Sequence, residues 1–271
     1  MFLTINDIDF HVATAGAGRP LVLLHGFTGA GASWAAHVPA LAGRRRVIAP
    51  DLLGHGASAA PEDPARYRME RCVADLLTLL DALDAPQIDL LGYSMGGRVA
   101  LSLACAAPER IGRLVLESAS PGLADAGERA ARTASDNALA DSIEREGLAA
   151  FVDHWEALPL FASQQRLPEE VRAALRAQRL RSDPRGLANS LRGMGTGQMP
   201  PLWGALPALR LPVLLLAGGQ DTRYCDLARL MAEHLPNARL EIVPEAGHTI
   251  HLERPQAFQV ALLSFLDESR L

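Results

Sequence analysis

Short apolar runs alternate along this chain with segments whose apolar residues recur at the spacing of a helix. The runs predict buried strands at residues 21–24, 47–49, 87–91, 111–116, 213–217 and 240–243. Helical spacing is clearest over residues 67–83 and from residue 95 to about residue 108. Because strands alternate with helices, we predict a mostly parallel sheet with right-handed crossovers. Residues 2–5 and 10–13 alternate in polarity and predict an antiparallel start to that sheet.

The pattern changes between residues 121 and 200, where helical segments follow one another without a convincing strand. Since this segment leaves and rejoins one sheet, we interpret it as a helical lid over the carboxyl ends of the strands, where open α/β sheets bind ligands. A second independent domain is the alternative. The predicted organisation is a core of residues 1–120, a lid of residues 121–200 and a second core part of residues 201–271.

Length, composition and charge restrict the class of protein. A chain of 271 residues with 49% hydrophobic content suits one large α/β domain. The net charge of -5, without a long basic run, argues against nucleic acid or an anionic membrane as partner. No apolar run is long enough to span a membrane, and the first ten residues contain Asp7 and Asp9 but no basic segment of a signal peptide. We expect a cytoplasmic protein, either a monomer or a homo-oligomer, without membrane insertion.

The basic residues and the cysteines exclude some chemistry. All 26 basic residues are arginine, so a reaction that needs a lysine amine is excluded. Arg44, Arg45 and Arg46 precede a predicted strand, and we interpret them as a solvated turn. The three cysteines have no metal-type spacing, which favours free thiols over a disulfide framework. We expect neither a metal nor another cofactor.

A Gly-x-Ser-x-Gly sequence centred on Ser94 lies between a predicted strand and a predicted helix. This is the context of a nucleophile elbow, in which the two glycines allow close packing around a serine in strained backbone geometry. The backbone N–H of Met95 then lies beside the serine hydroxyl and the positive end of the helix. A glycine-rich turn that happens to contain serine is the alternative, but the flanking strand and helix favour a nucleophile.

An acid and a histidine follow two later strands at the same edge of the predicted sheet. Asp221 comes after the strand at residues 213–217, and His248 after the strand at residues 240–243. The chain order serine, acid, histidine is that of a triad on this fold, in which the histidine takes the serine proton and the acid orients the imidazole. Asp226 and Glu245 are alternative acids, and we interpret His251 as a neighbour or a core residue.

Further candidates surround this triad. The backbone N–H of Phe27, in the glycine loop after the strand at residues 21–24, is the predicted second oxyanion donor, while His25 is interpreted as structural. Arg98 lies one turn into the helix after Ser94. Burial of a guanidinium there costs free energy unless it pairs with a bound anion or with a carboxylate of the protein. A structural ion pair is the alternative for Arg98.

The predicted lid carries a row of arginines. Arg172, Arg176 and Arg179, spaced by four and three residues, share one face of a predicted lid helix. That face is suited to clamping carboxylates, with a solvated surface as the alternative.

With these residues placed, the whole chain resembles the α/β-hydrolase superfamily, including its turn from Asp51 to Gly56. Residues 117–123, 151–156 and 190–198 are also similar to the 2-succinyl-6-hydroxy-2,4-cyclohexadiene-1-carboxylate synthase family of menaquinone biosynthesis. The resemblance spans nearly the full length. It implies an α/β fold of the α/β-hydrolase type, with a mostly parallel sheet, helices on both faces and an inserted helical lid.

The resemblance also implies a lyase on a hydrolase scaffold. That family eliminates pyruvate from an enolpyruvyl cyclohexene precursor with three carboxylates, so it implies a small polycarboxylate substrate. Ser94, made basic by His248, abstracts a carbon-bound proton without forming an acyl-enzyme. The substrate-binding residues that carry over are Tyr93, Arg98, Arg132, Trp155 and Arg176. Arg179 competes with Arg176, and Trp155 is alternatively an aromatic residue of the lid core.

Two other functions fit the same residues. A serine hydrolase acting on an ester or a carbon–carbon bond beside a carbonyl would use the same triad. A ligand-binding module without catalytic activity is the third hypothesis, and an intact triad argues against it.

Overall fold

The computed structural model describes residues 1–268, and within them eight strands form one sheet. The strands are β1 (Phe2–Ile5), β2 (Ile8–Ala15), β3 (Arg19–Leu24), β4 (Arg45–Pro50), β5 (Ile88–Tyr93), β6 (Ile111–Glu117), β7 (Val213–Gly218) and β8 (Ala238–Val243). Their order across the sheet is β1-β2-β4-β3-β5-β6-β7-β8. The β1–β2 and β2–β4 pairs are antiparallel, and the other pairs are parallel. The predicted parallel sheet with an antiparallel start is therefore confirmed.

Helices connect the strands and cover the sheet. They are α1 (Val38–Ala42), α2 (Met69–Ala82), α3 (Met95–Ala106), α4 (Ala126–Glu156), α5 (Glu169–Arg179), α6 (Pro184–Met194), α7 (Thr222–His234), α8 (Ile250–Glu253) and α9 (Pro255–Asp267). Short 3-10 helices lie at Gly31–Trp34, Pro64–Tyr67, Pro108–Arg110, Pro159–Arg166 and Trp203–Ala208. Among the described residues, none of the helices combines the length and the apolarity needed to cross a membrane.

The apolar runs are strands buried on both faces. Leu90 of β5 packs in one core cluster with Val73 of α2 and Val99 of α3. The next residue, Leu91, points to the opposite face and packs with Phe258 of α9. Because successive side chains of a strand point to opposite faces, a continuous apolar run requires helices on both sides of the sheet.

The predicted elements differ from the observed ones mainly at their ends. Strand β2 is longer than predicted, because its pairing with β1 and β4 continues beyond the alternating residues. The segment predicted as one helix over residues 67–83 is a 3-10 turn followed by α2. Helix α3 ends at Ala106, since Ala107 precedes Pro108 and a residue before proline is disfavoured in helical geometry.

The interpretation of Arg44 to Arg46 as a solvated turn is wrong for Arg45. This side chain is buried in β4, and its guanidinium donates to Asp89 Oδ2 at 2.5 Å and to Asp267 Oδ1 at 3.0 Å. Asp89 lies fully buried inside the apolar run of β5 and needs a cationic partner. Arg44, in contrast, is exposed.

Between β6 and β7 the chain forms α4, α5 and α6, and residues 118–212 contain no strand. Helices α4 and α6 share a separate apolar cluster that includes Ile143 and Leu187, with Phe27 of the sheet domain packed against it. The inserted helices therefore rest on the loop that follows β3.

Candidate active site

Ser94 occupies the sharp turn between β5 and α3. Its φ of 51° and ψ of -109° are uncommon for a residue other than glycine. A Cβ at Gly92 would collide with the Gly96 carbonyl, and a Cβ at Gly96 would collide with the carbonyls of Leu24 and His25. The spacing of the two glycines is thus a steric requirement of the turn that holds Ser94 out of the fold.

The structure brings together the three predicted triad residues. The Ser94 hydroxyl lies 3.0 Å from His248 Nε2, and His248 Nδ1 lies 2.7 Å from Asp221 Oδ2. In this arrangement the Nδ1–H donates to Asp221 and leaves Nε2 to accept the serine proton. Both His248 and Asp221 are buried, so the ion pair that forms on proton transfer is shielded from water.

Asp221 is positioned by helix α7, whose N-terminus it caps. It is the N-cap of α7, and its Oδ1 accepts from the Tyr224 backbone N–H at 3.3 Å, which leaves Oδ2 for His248. The alternative acids have other partners: Asp226 binds Arg229 at 2.7 Å, and Glu245 binds Arg254 at 2.6 Å.

Aromatic rings surround the His248 imidazole. The ring centroid of Tyr224 is 4.6 Å away, that of Tyr93 is 5.5 Å away and that of Phe161 is 6.1 Å away. These rings restrict the orientation of the imidazole and exclude water from it. His251 is a buried neighbour whose Nδ1 lies 2.9 Å from Glu117 Oε1.

Ser94, Phe27 and Met95 line one cavity of about 240 Å³. Within residues 1–268, neither the Phe27 N–H nor the Met95 N–H donates to a protein acceptor. Two unengaged backbone donors beside a nucleophile are what an oxyanion hole requires. His25 is structural here, because its Nδ1 contacts the Gly26 carbonyl at 2.8 Å and its Nε2 accepts from the Leu52 N–H at 3.0 Å.

Arg98 lines the same cavity. Its Nη1 donates to the Met194 carbonyl at 2.5 Å, and it forms no ion pair with any carboxylate in residues 1–268. Burial lowers the pKa of its guanidinium to about 10, which still leaves it cationic at neutral pH. Asp136 lies close enough to act on the charge of Arg98, but its carboxylate is hydrogen-bonded to Arg132, so no carboxylate among the described residues pairs with Arg98.

Three more of the predicted substrate-binding residues line this cavity: Tyr93, Arg132 and Trp155. Arg132 Nε donates to Asp136 Oδ1 at 2.8 Å, while its side chain remains 43% exposed. The Tyr93 hydroxyl lies 2.7 Å from Thr249 Oγ1. The Trp155 ring packs against Phe27 with centroids 5.2 Å apart, and its indole N–H has no partner among the described residues.

Arg176, unlike the other predicted substrate-binding residues, does not line the cavity that contains Ser94. Its guanidinium donates to Asp153 at 2.6 Å and to Glu156 at 2.8 Å, outside the cavity of Ser94. Arg179 is buried and lines a second cavity of about 270 Å³, which shares Tyr93 and Trp155 with the first. The helical spacing that places Arg176 and Arg179 near one another does not distinguish the outer face of α5 from its inner face.

The sequence reasoning missed Tyr224 and Arg223, which also line the Ser94 cavity. Their position directly after the triad acid was the available signal, because the first turn of a helix that begins at Asp221 must lie close to the triad.

The fold and the site define a class of protein. A sheet with this strand order, a serine on a strained turn after β5, and an acid and a histidine after β7 and β8 form the arrangement of an α/β hydrolase. The family model described as "alpha/beta hydrolase fold" matches residues 19–255.

Comparison with known proteins narrows the class. A Bacillus subtilis (strain 168) protein, provisionally named 2-succinyl-6-hydroxy-2,4-cyclohexadiene-1-carboxylate synthase, is 46% identical over 97% of this chain and 97% of its own length. The synthase of that name from Serratia proteamaculans (strain 568) is 38% identical over 65% of this chain and 67% of its own length. The solved structure of MenH from S. aureus is 37% identical, with a TM-score of 0.90 over 95% of this chain and 97% of that one. The chain therefore belongs to the α/β hydrolase fold family and, within it, to the 2-succinyl-6-hydroxy-2,4-cyclohexadiene-1-carboxylate synthase family.

Proposed function

We propose that this protein is a carbon–oxygen lyase of menaquinone biosynthesis. It eliminates pyruvate from 2-succinyl-5-enolpyruvyl-6-hydroxy-3-cyclohexene-1-carboxylate and gives 2-succinyl-6-hydroxy-2,4-cyclohexadiene-1-carboxylate. The observation that carries this proposal is a hydrogen-bonded Ser94–His248–Asp221 triad in one cavity with Arg98, a cation without a carboxylate partner in residues 1–268. The names of the relatives support the same substrate.

The triad supplies the base. As the serine proton moves to His248 Nε2, Ser94 Oγ removes the carbon-bound proton of the substrate. The electron pair of that C–H bond passes through an enolate to a new C=C bond, and the C–O bond to the enolpyruvyl group breaks. The Phe27 and Met95 N–H groups stabilise the negative charge that develops on the substrate oxygen. The departing enolate of pyruvate takes up a proton and becomes the keto acid, so no acyl-enzyme forms.

Cations of the cavity hold the carboxylates of the substrate. Arg98 and Arg132 line the cavity directly, and Trp155 and Tyr93 form its aromatic wall. A guanidinium binds a carboxylate through two parallel hydrogen bonds, which fixes the substrate against the base. On the lid helix we assign this role to Arg179 rather than to Arg176. Arg176 is engaged by two acids, whereas Arg179 is engaged by one acid among the described residues, Glu156, and lines the neighbouring cavity with Tyr93 and Trp155.

We further propose that residues 121–200 act as a lid on a core of residues 1–120 and 201–271. The lid supplies Arg132 and Trp155 to the cavity, while the triad comes entirely from the core. The three cysteines are free thiols, which fits a reducing compartment such as the cytoplasm.

The second candidate is a serine hydrolase, which the same triad and oxyanion donors would serve. A hydrolase would show a burst of acyl-enzyme and fast turnover of neutral nitrophenyl esters. The cations that line the cavity favour the lyase, because a neutral ester has no anionic group to neutralise Arg98.

The direct test is to incubate the protein with the enolpyruvyl precursor and to follow pyruvate. We expect release by the wild type and a loss of about 10³-fold or more in kcat for Ser94→Ala, since the base is removed. Pyruvate release that Ser94→Ala leaves intact, or an acyl-enzyme burst with the precursor unreacted, would contradict the proposal.

A further inference from the structure

Arg223 lies at the boundary between the cavity that contains Ser94 and the protein surface. It is in the first turn of α7, two residues after Asp221. Its side chain lines the cavity that contains Ser94, and it also lines an outer crevice of about 380 Å³ that reaches Asp221 and Arg166. A ligand that bridges the crevice and the cavity must therefore pass this guanidinium.

Arg223 has no partner among the described residues that would neutralise its charge. Its guanidinium forms no ion pair and no side-chain hydrogen bond with any residue in the described part of the chain. Arg229 on the same helix differs, because it is paired with Asp226 at 2.7 Å. Among the described residues, four other exposed arginines also lack such a partner, but none of them lines the cavity that contains Ser94: Arg68, Arg71, Arg181 and Arg210. The donors of Arg223 are thus available to a ligand.

Three guanidinium groups line one cavity with the Tyr224 phenol. Burial raises the pKa of Tyr224, and the charges of Arg98, Arg223 and Arg132 act in the opposite direction on the same group. The Tyr224 ring in turn packs against His248. Arg223 therefore acts electrostatically on the same small volume as the two arginines that the proposed function already uses.

The charges that line the cavity are unbalanced. Arg98, Arg132 and Arg223 face one acid of the described lining, Asp136, which Arg132 already engages. One anion cancels one cation, so the cavity keeps a net charge of about +2 and favours a ligand with several carboxylates.

We propose that Arg223 binds one carboxylate of the polycarboxylate substrate at the outer end of the cavity, as a further substrate-binding and specificity-determining residue. This inference rests on the proposed function. Arg223 acts on binding more than on the chemical step, because its position at the mouth places it beside a remote carboxylate and not beside the proton that Ser94 removes.

The test compares Arg223→Gln, Arg223→Lys and the matched control Arg229→Gln in pyruvate release. We expect Arg223→Gln to raise KM about tenfold or more, the size of one charge-assisted hydrogen bond, with kcat within about threefold of the wild type. Arg223→Lys should recover most of the change in KM, and Arg229→Gln should match the wild type. An unchanged KM, an equal effect of Arg229→Gln, or a loss in kcat alone that lysine does not restore would overturn the inference.

A second measurement separates this inference from the proposed function. Binding of tricarballylate, a stable tricarboxylate, is measured by calorimetry and needs no turnover. We expect the dissociation constant to rise about tenfold or more in Arg223→Gln and to stay unchanged in Arg229→Gln. If the wild type releases no pyruvate, the proposed function fails, while equal tricarballylate affinity of Arg223→Gln and wild type overturns the role of Arg223.

Discussion

At the scale of single residues, Arg45, which is buried, and Arg98, which is half-buried, have opposite roles. Arg45, together with Arg19, neutralises the buried carboxylate of Asp89 and thus stabilises the fold. Arg98 contacts the Met194 carbonyl oxygen and the Met199 sulfur but no carboxylate among the described residues, and burial lowers the pKa of its guanidinium to about 10. An unpaired cation costs free energy in the empty protein, and that cost is offset only when an anion binds.

Replacement of each arginine by methionine should separate the two roles. Arg98→Met removes the unpaired charge, so we expect the free energy of unfolding to stay within about 1 kcal/mol of the wild type or to rise. Its kcat/KM for pyruvate release should fall about 100-fold or more, because a carboxylate contact is lost. Arg45→Met is the control, and we expect a loss of about 2 to 3 kcal/mol in stability, because Asp89 then keeps only Arg19 as a cationic partner. Urea unfolding and pyruvate assays measure both, and a loss in Arg98→Met as large as that in Arg45→Met would contradict the assignment.

At the scale of elements, α4 joins the other inserted helices to the cavity that contains Ser94 through a break at Gly147. This residue has φ 84° and ψ 170°, a region that is essentially restricted to glycine, and a Cβ there would meet no atom within 4 Å. The part of α4 after the break carries Phe151 and Trp155, whose rings pack against Phe27. The direction of the helix after Gly147 therefore decides whether Trp155 reaches the cavity.

Gly147→Ala should affect stability and turnover together. Since only the backbone geometry resists a side chain, we expect a loss of about 1 to 3 kcal/mol in unfolding free energy. Displacement of Trp155 should lower kcat/KM about tenfold or more. Gly43→Ala is the matched control, because Gly43 also has open space around it but an ordinary φ of -65°. If the two variants have the same stability and activity, the break at Gly147 is not a constraint.

At the scale of the whole molecule, buried neutral histidines connect stability to pH. Burial lowers the pKa of His25 and His37, and it lowers the pKa of His55 to about 3, with the neighbouring His25 as a smaller cause. Between pH 6.5 and pH 3 the unfolded chain binds a proton at His55 that the folded protein does not bind. Stability is therefore fully present above pH 6.5 and is lost as the pH falls through this window.

The dependence of the unfolding free energy on pH should be measurable by urea unfolding at pH 7, 6, 5 and 4. We expect His55 alone to lower the unfolding free energy by up to roughly 1.4 kcal/mol per pH unit below pH 6.5. His55→Asn should flatten the dependence by about that amount, whereas replacement of the exposed His154 by asparagine should leave the wild-type slope. A wild-type slope in His55→Asn would show that the acid sensitivity lies elsewhere.

Local patterns in the sequence were enough to predict the sheet, the turn that holds Ser94, and the chain order of Ser94, Asp221 and His248. Apolar runs and helical spacing are local signals, and Gly92, Ser94 and Gly96 require one another within a single turn. Asp221 and His248 followed from the strands before them, because the carboxyl ends of parallel strands meet at one edge. The lid segments also carried the resemblance to a family that the relatives confirm.

Which charged side chains face each other depends on contacts between residues that are distant in sequence. Arg45 looked like a surface residue until β4 and β5 placed it beside Asp89, and periodicity assigned Arg176 and Arg179 to one helix face without showing which side the core covers. Arg223 was overlooked because its lack of a partner depends on residues far away in sequence. The helix or strand propensity of an arginine is the same whether its guanidinium contacts an acid, water or a ligand. Its role therefore depends on the fold that surrounds it.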